Sequence, residues 1–156
     1  MLAKPFPKTR DNERGGSLIE FTVVASFFFM MLIAIVAAGN LYYTHNALVE
    51  ATRRGARYAV LNPTGSATAV RNVVIYGTDT PANGATPLVY NLQAANVTIN
   101  YSTGTNGFGV AKGTATVEIT GYTFPFVVPT ATTSVTMPPY RTTLTGECAG
   151  FIPPNL

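Results

Sequence analysis

Few side chains in this sequence are of types that do chemistry, and their spacing excludes most of it. There is one histidine, His45, and one cysteine, Cys148. No G-x-S-x-G, H-E-x-x-H, C-x-x-C or Walker pattern occurs anywhere in the chain. Gly104, Gly107 and Gly109 follow no strand-to-helix order and lead to no completing lysine, so they read as a flexible hairpin, not a phosphate cradle. Asp79, Glu118 and Glu147 stand far apart, which leaves no cluster with metal-ligand spacing. Cys148 has no second thiol in its chain and no neighbouring base to activate it, so it reads as a buried or idle thiol. These residues predict no enzyme, no metal and no cofactor. One carboxylate is placed where its chemistry matters: Glu20 lies between the pair Gly15-Gly16 and a run, Phe21 to Gly39, that contains no charge. A charged group at the edge of such a run is costly unless it meets an opposite charge.

The element that must position Glu20 is the apolar run itself. Nineteen residues at about 1.5 Å each make roughly 28 Å of helix, close to the 30 Å of a bilayer core. Of the ten Lys and Arg and seven Asp and Glu, only Arg71, Asp79, Lys112, Glu118, Arg141 and Glu147 lie beyond Arg57. The rest of that half is solvated by Thr, Ser, Asn and Gly, a composition suited to an extracytoplasmic or assembled protein. The net charge of +3 comes from Lys4, Lys8, Arg10 and Arg14 ahead of the run and Arg53, Arg54 and Arg57 after it. Neither group has the size or aromatic interleaving of a nucleic-acid surface. The leader cations predict an N-terminus kept in the cytoplasm and a head outside, although the arginines beyond the run compete in the same rule.

Three readings of the run stand side by side. It is a plain single-pass anchor, or a secretory signal cut after Val36-Ala37-Ala38 ahead of Gly39, or a segment whose Glu20 awaits a newly made terminal amine. The length of the run and helical patterning that continues past Ala38 count against the signal.

Gly15-Gly16-Ser17-Leu18-Ile19-Glu20-Phe21 resembles the processing motif of type IV prepilins, in particular the tight-adherence branch. The resemblance implies a prepilin peptidase that cuts after a glycine and leaves a glutamate five residues into the mature chain, followed by an aromatic. A cut between Gly15 and Gly16 gives Glu20 and Phe21 that register; a cut after Gly16 places Glu20 one residue early. Tyr42-Tyr43 and Thr52-Arg53-Arg54-Gly55-Ala56-Arg57-Tyr58-Ala59 are similar to the segment that follows the membrane helix in TadE-like pilus-assembly proteins. That family implies a minor pilin or pseudopilin acting in pilus assembly and adhesion. Its expected partners are the prepilin peptidase, other pilin and pseudopilin subunits, an inner-membrane assembly platform and the membrane. The implied location is the inner membrane, single-pass, with the head outside. Two other readings stay open: a major filament subunit, and a secreted or anchored β-rich binding module.

The expected fold is α+β: a cytoplasmic leader over 1–15, a long N-terminal helix over 16–60 with its membrane part near 20–39, and a small head over 61–156. Ser17 with Glu20 has capping-box spacing, and no proline interrupts Pro7 to Pro63. Leu41, Leu48, Ala51, Gly55 and Tyr58 form a stripe that packs on the chain's own head or on neighbouring subunits. Glu50, Arg53 and Arg54 fall opposite, and His45 reads as part of a polar face. Asn62-Pro63-Thr64-Gly65 predicts the helix stop, Ser66 to Ile75 a short helix closed by Gly77, and Pro87 to Leu92 an extended piece. Alternation predicts antiparallel neighbours at Val97 to Tyr101 and Thr114 to Thr120, joined by the loop Thr103 to Gly109. Phe124 to Pro129 reads as an edge strand or packed connection, and Thr132 to Met137 as a third strand. The far C-terminus has only general β character.

Overall fold

A chain free of proline over 55 consecutive residues, most of them good helix formers, has nothing to stop a helix once one has started. In the computed structural model, which describes residues 11–62, 67–102, 113–128 and 131–146, that helix is α1, Asp11–Leu61, 51 residues in one piece. It starts ahead of the expected boundary. Ser17 is inside the helix and is no cap, and Gly15 and Gly16 are helical too. Each glycine costs about 1 kcal/mol relative to alanine, too little to halt a helix that the residues from Leu18 onward propagate. The far end closes as predicted before Pro63: the Asn62 backbone N–H and Nδ2 both donate to the Tyr58 carbonyl, at 3.0 and 3.2 Å. The remainder of the predicted stop, residues 63–65, lies outside the described residues, as do Ser66 at the expected start of the short helix, the leader's first ten residues, the loop around Gly104, Gly107 and Gly109, and Cys148.

Helix α2 spans Ala67–Tyr76 and buries Val70, Val73, Val74 and Ile75. Gly77 ends it in the left-handed conformation, φ +80°, its N–H bonded to the Val73 carbonyl at 3.0 Å. The extended piece expected at Pro87 to Leu92 is instead a chain of bends. Leu88 N–H goes to the Ile75 carbonyl at 2.8 Å, Leu92 N–H to the Val89 carbonyl at 3.2 Å, and Asn91 adopts φ 59°. Val89 and Leu92, three residues apart, are the buried members, which is a turn spacing and not a strand spacing.

Strands β1 (Val97–Ser102) and β2 (Thr114–Ile119) pair antiparallel with Val97 opposite Ile119. Next in the chain come β3 (Thr123–Val128) and β4 (Ala131–Thr136), which pair only with each other as a separate hairpin. Pro125 is tolerated in β3 because a two-stranded sheet consists of edges. The strand expected at Thr132 to Met137 is thus present as β4 but lies outside the β1-β2 sheet, whose third member is β5, Tyr140–Thr145, on the other side of β2. Val135 in β4 is 40% exposed, whereas Met137 just past β4 is buried.

One face of the β1-β2-β5 sheet is covered by the helices. Val97, Ala115, Val117, Ile119 and Tyr140 meet Val70 and Val74 of α2 and Leu48, Ala51, Ala56 and Ala59 of α1 in a single core. The outer half of α1 is thus a layer of the head, and its inner half projects beyond it.

Candidate functional site

The projecting half of α1 is apolar on every side. Leu18, Ile19, Phe21, Phe27, Phe28, Met31, Ile35 and Val36 are all exposed by 60% or more. The most apolar 18-residue window has a mean hydropathy of 2.6 and none of it is buried. Among the described residues this is the one helix long and apolar enough to cross a membrane, which points to a single-pass membrane protein. Two hydroxyls in the apolar run are satisfied internally: Thr22 Oγ1 donates to the Leu18 carbonyl at 2.8 Å and Ser26 Oγ to the Thr22 carbonyl at 2.7 Å. Glu20 differs. It is exposed among apolar neighbours, with Phe21 70% exposed beside it, and no hydrogen bond or ion pair engages it among the described residues. Gly15 and Gly16 lie a turn or so ahead on the same helix, and a Cβ built on either would meet no atom within 4 Å. The structure places the glycine pair, Glu20 and Phe21 on one bare helical segment.

The stripe beyond the span turns toward the chain's own head. Leu48 and Ala51 are fully buried, Gly55 is buried, and Leu41 and Tyr58 pack against the core from its margin. Gly55 sits at the crossing with α2 and β2; a Cβ there would overlap Val74 Cγ2 and come within 3.4 Å of Val117 Cγ1. The Tyr58 hydroxyl donates to Asp79 Oδ2 at 3.3 Å. Asp79 also accepts from the Thr80 hydroxyl at 3.2 Å, and that bond is the main reason its carboxyl is held below its ordinary range.

Several participants escaped the sequence reading. Thr44, Thr52, Ala56, Ala59 and Val60 are buried as well, so the covered stripe is two residues wide in each turn. Counting Thr and Ala as core-compatible would have revealed it, since 44, 48, 51, 52, 55, 56 and 59 keep i, i+3, i+4 spacing. His45 is no polar-face residue: its Nδ1 is 2.7 Å from the Tyr140 hydroxyl, and the two rings meet edge-on at 5.2 Å. About two turns further, Thr52 Oγ1 donates to the Val49 carbonyl at 2.7 Å and lies 2.9 Å from Thr142 Oγ1. On the opposite side Glu50 and Arg53 are exposed as expected, but Arg54 is half-buried and its Nε is an enclosed donor without an acceptor. Arg57 is exposed.

This arrangement offers no assembled nucleophile or acid–base pair among the described residues. It offers a long helix, bare and apolar at one end with one unpaired carboxylate, and clamped to a small α+β head at the other. No curated protein and no solved structure matches the chain. Residues 15–57 match the family model of TadE-like proteins, from the glycine pair through the clamped stripe to Arg57, and leave most of the head outside the match. Over residues 15–57 the chain is similar to TadE-like proteins, which suggests a protein associated with a Tad pilus.

Proposed function

We propose that this chain is a structural subunit, a minor pilin or pseudopilin, of a tight-adherence type IV pilus, and that it acts in pilus assembly and adhesion without catalysing a reaction. A prepilin peptidase removes the leader between Gly15 and Gly16. Gly16 then carries a free amine, and Glu20 stands four residues later, one helical turn away, in the same apolar layer. Unpaired charges in hydrocarbon are costly, so the carboxylate of one subunit and the terminal amine of another pair preferentially, and the pairing selects the register in which the helices pack. The partners are the peptidase, other pilin or pseudopilin subunits and an inner-membrane platform, with the N-terminus on the cytoplasmic side and the head outside.

The observation that carries this reading is Glu20: an exposed carboxylate without a partner among the described residues, in a span where the Thr22 and Ser26 hydroxyls are bonded to the helix's own carbonyls, inside the TadE-like match. N-terminal sequencing of the mature protein tests it. Gly16 as the first residue is expected. Gly39 first would make the chain a secreted β-rich domain, and an uncut Met1 would make it a simple anchor; either result overturns the proposal.

A further inference from the structure

The sheet has two distinct ends relative to the span. The row Val97, Ile119, Tyr140 lies at the end where Tyr140 meets His45, six residues beyond Gly39. The row Tyr101, Ala115, Leu144 lies four residues further along the strands, about 13 Å away. At the near end, between α1 and the turn that joins β4 to β5, is an open groove of about 450 Å³ lined by Ala38, Leu41, Tyr42, His45, Met137 and Pro138. Five of these six side chains are apolar or aromatic, and the sixth, His45, already has Tyr140 as a partner.

What covers this groove follows from where it begins. Ala38 belongs to the apolar run that ends at Gly39, so the groove is continuous with the membrane-crossing surface of α1. With Gly39 at the edge of the hydrocarbon, Tyr42 stands about 4.5 Å and His45 about 9 Å above it along the helix axis. The headgroup layer on each side of a bilayer is about 5–7 Å deep, so the groove's wall from Ala38 to Tyr42 lies within it and His45 stands at its outer margin. Tyr42 and Tyr43 are 69% and 70% exposed at this level, the position of an interfacial aromatic belt. From Ile119 to Tyr140 there is no charged residue, so the turn carries no ionised group that contact with lipid would desolvate.

We propose that this groove seats phospholipid of the leaflet that α1 leaves, so that the head rests on the membrane through Tyr42 and the Met137–Pro138 turn. The contact requires that α1 span a bilayer; it requires neither cleavage nor a pilus. The head is then held upright against the bilayer before any partner binds, with the β1-β2-β5 sheet standing away from the surface.

The chain contains no tryptophan, which allows a direct test. The full-length protein is reconstituted at low protein-to-lipid ratio into phosphatidylethanolamine/phosphatidylglycerol vesicles as single-tryptophan variants. Pro138→Trp and the more conservative Tyr42→Trp probe the groove, Tyr101→Trp probes the far end of the sheet, and Phe28→Trp probes the span. Lipids spin-labelled in the headgroup region should quench positions 138 and 42 strongly, and aqueous iodide should quench them several-fold less than position 101. Iodide quenching at 138 and 42 equal to that at 101, with Phe28→Trp still quenched by deep acyl labels, would overturn the proposal while leaving the span intact. Protection at 138 and 42 that grows with protein density and ignores the lipid labels would assign the groove to a second copy and overturn it equally.

Discussion

His45 Nδ1 lies 2.7 Å from the Tyr140 hydroxyl across 95 residues of sequence, and this pair joins the first turns of α1 beyond the span to the first residue of β5. The contact combines an edge-on ring pair with a half-buried hydrogen bond, and removing one partner strands the other. Tyr140→Phe should lower stability by about 1 kcal/mol, and a double-mutant cycle with His45→Ala should show coupling of similar size. Thermal unfolding of the four proteins in detergent measures it. Additive single effects would show that the two rings are merely adjacent.

Gly55 is a point of close approach between α1 and α2, because a Cβ there would overlap Val74. Gly55→Ala should destabilise the head by about 1–3 kcal/mol through overpacking, despite alanine's better helix propensity. Adding Val74→Ala should recover part of the loss, so the double variant melts higher than the sum of the single effects predicts. A Gly55→Ala protein that is more stable than the parent would refute the close approach.

Burial pushes the Tyr122 and Tyr140 phenols above the ordinary value of about 10, because the folded state holds them neutral. The unfolded chain then loses those protons first. Stability should be whole below about pH 10 and fall as pH rises through the raised folded values. Melting temperatures followed into the alkaline range check this, and Tyr140→Phe should flatten the fall. Asp79 acts with the opposite sign: its lowered carboxyl adds stability above the ordinary carboxylate range, lost as pH falls through its folded value. Asp79→Asn should therefore reduce the acid dependence.

Glu20→Ala should leave membrane insertion unchanged and weaken or abolish filament assembly, because it removes the carboxylate without touching the apolar surface. Carbonate extraction measures the first and the yield of sheared pili the second. Normal pili from cells carrying only the variant would sink the proposed role.

The sequence made some parts of this structure readable and hid others for identifiable reasons. Val97, Ile99, Val117 and Ile119 alternate with polar residues, so β1, β2 and their antiparallel pairing could be read directly. Strand β5 could not, because Tyr140-Arg141-Thr142-Thr143-Leu144-Thr145 follows two prolines and only Tyr140 in it is fully buried. The glycine pair reads locally as a joint, yet α1 runs through it, since propagation from the apolar run outweighs two glycine penalties. Glu20 was conspicuous because its cost is visible in sequence alone. His45 was not, because its partner lies in the strand that the pattern concealed.

The uninterrupted course of α1 gives the molecule a fixed bearing. His45 and Thr52 lock the rotation of the helix against β5, and nothing in the described helix swivels between that lock and Glu20. Twenty-five residues at 100° each bring the carboxylate to within about 20° of the azimuth of His45, some 37 Å further down the rod. The head works as a compass card for a charge far down the rod: whichever way the sheet side of α1 faces at the head, Glu20 faces nearly the same way at the other end.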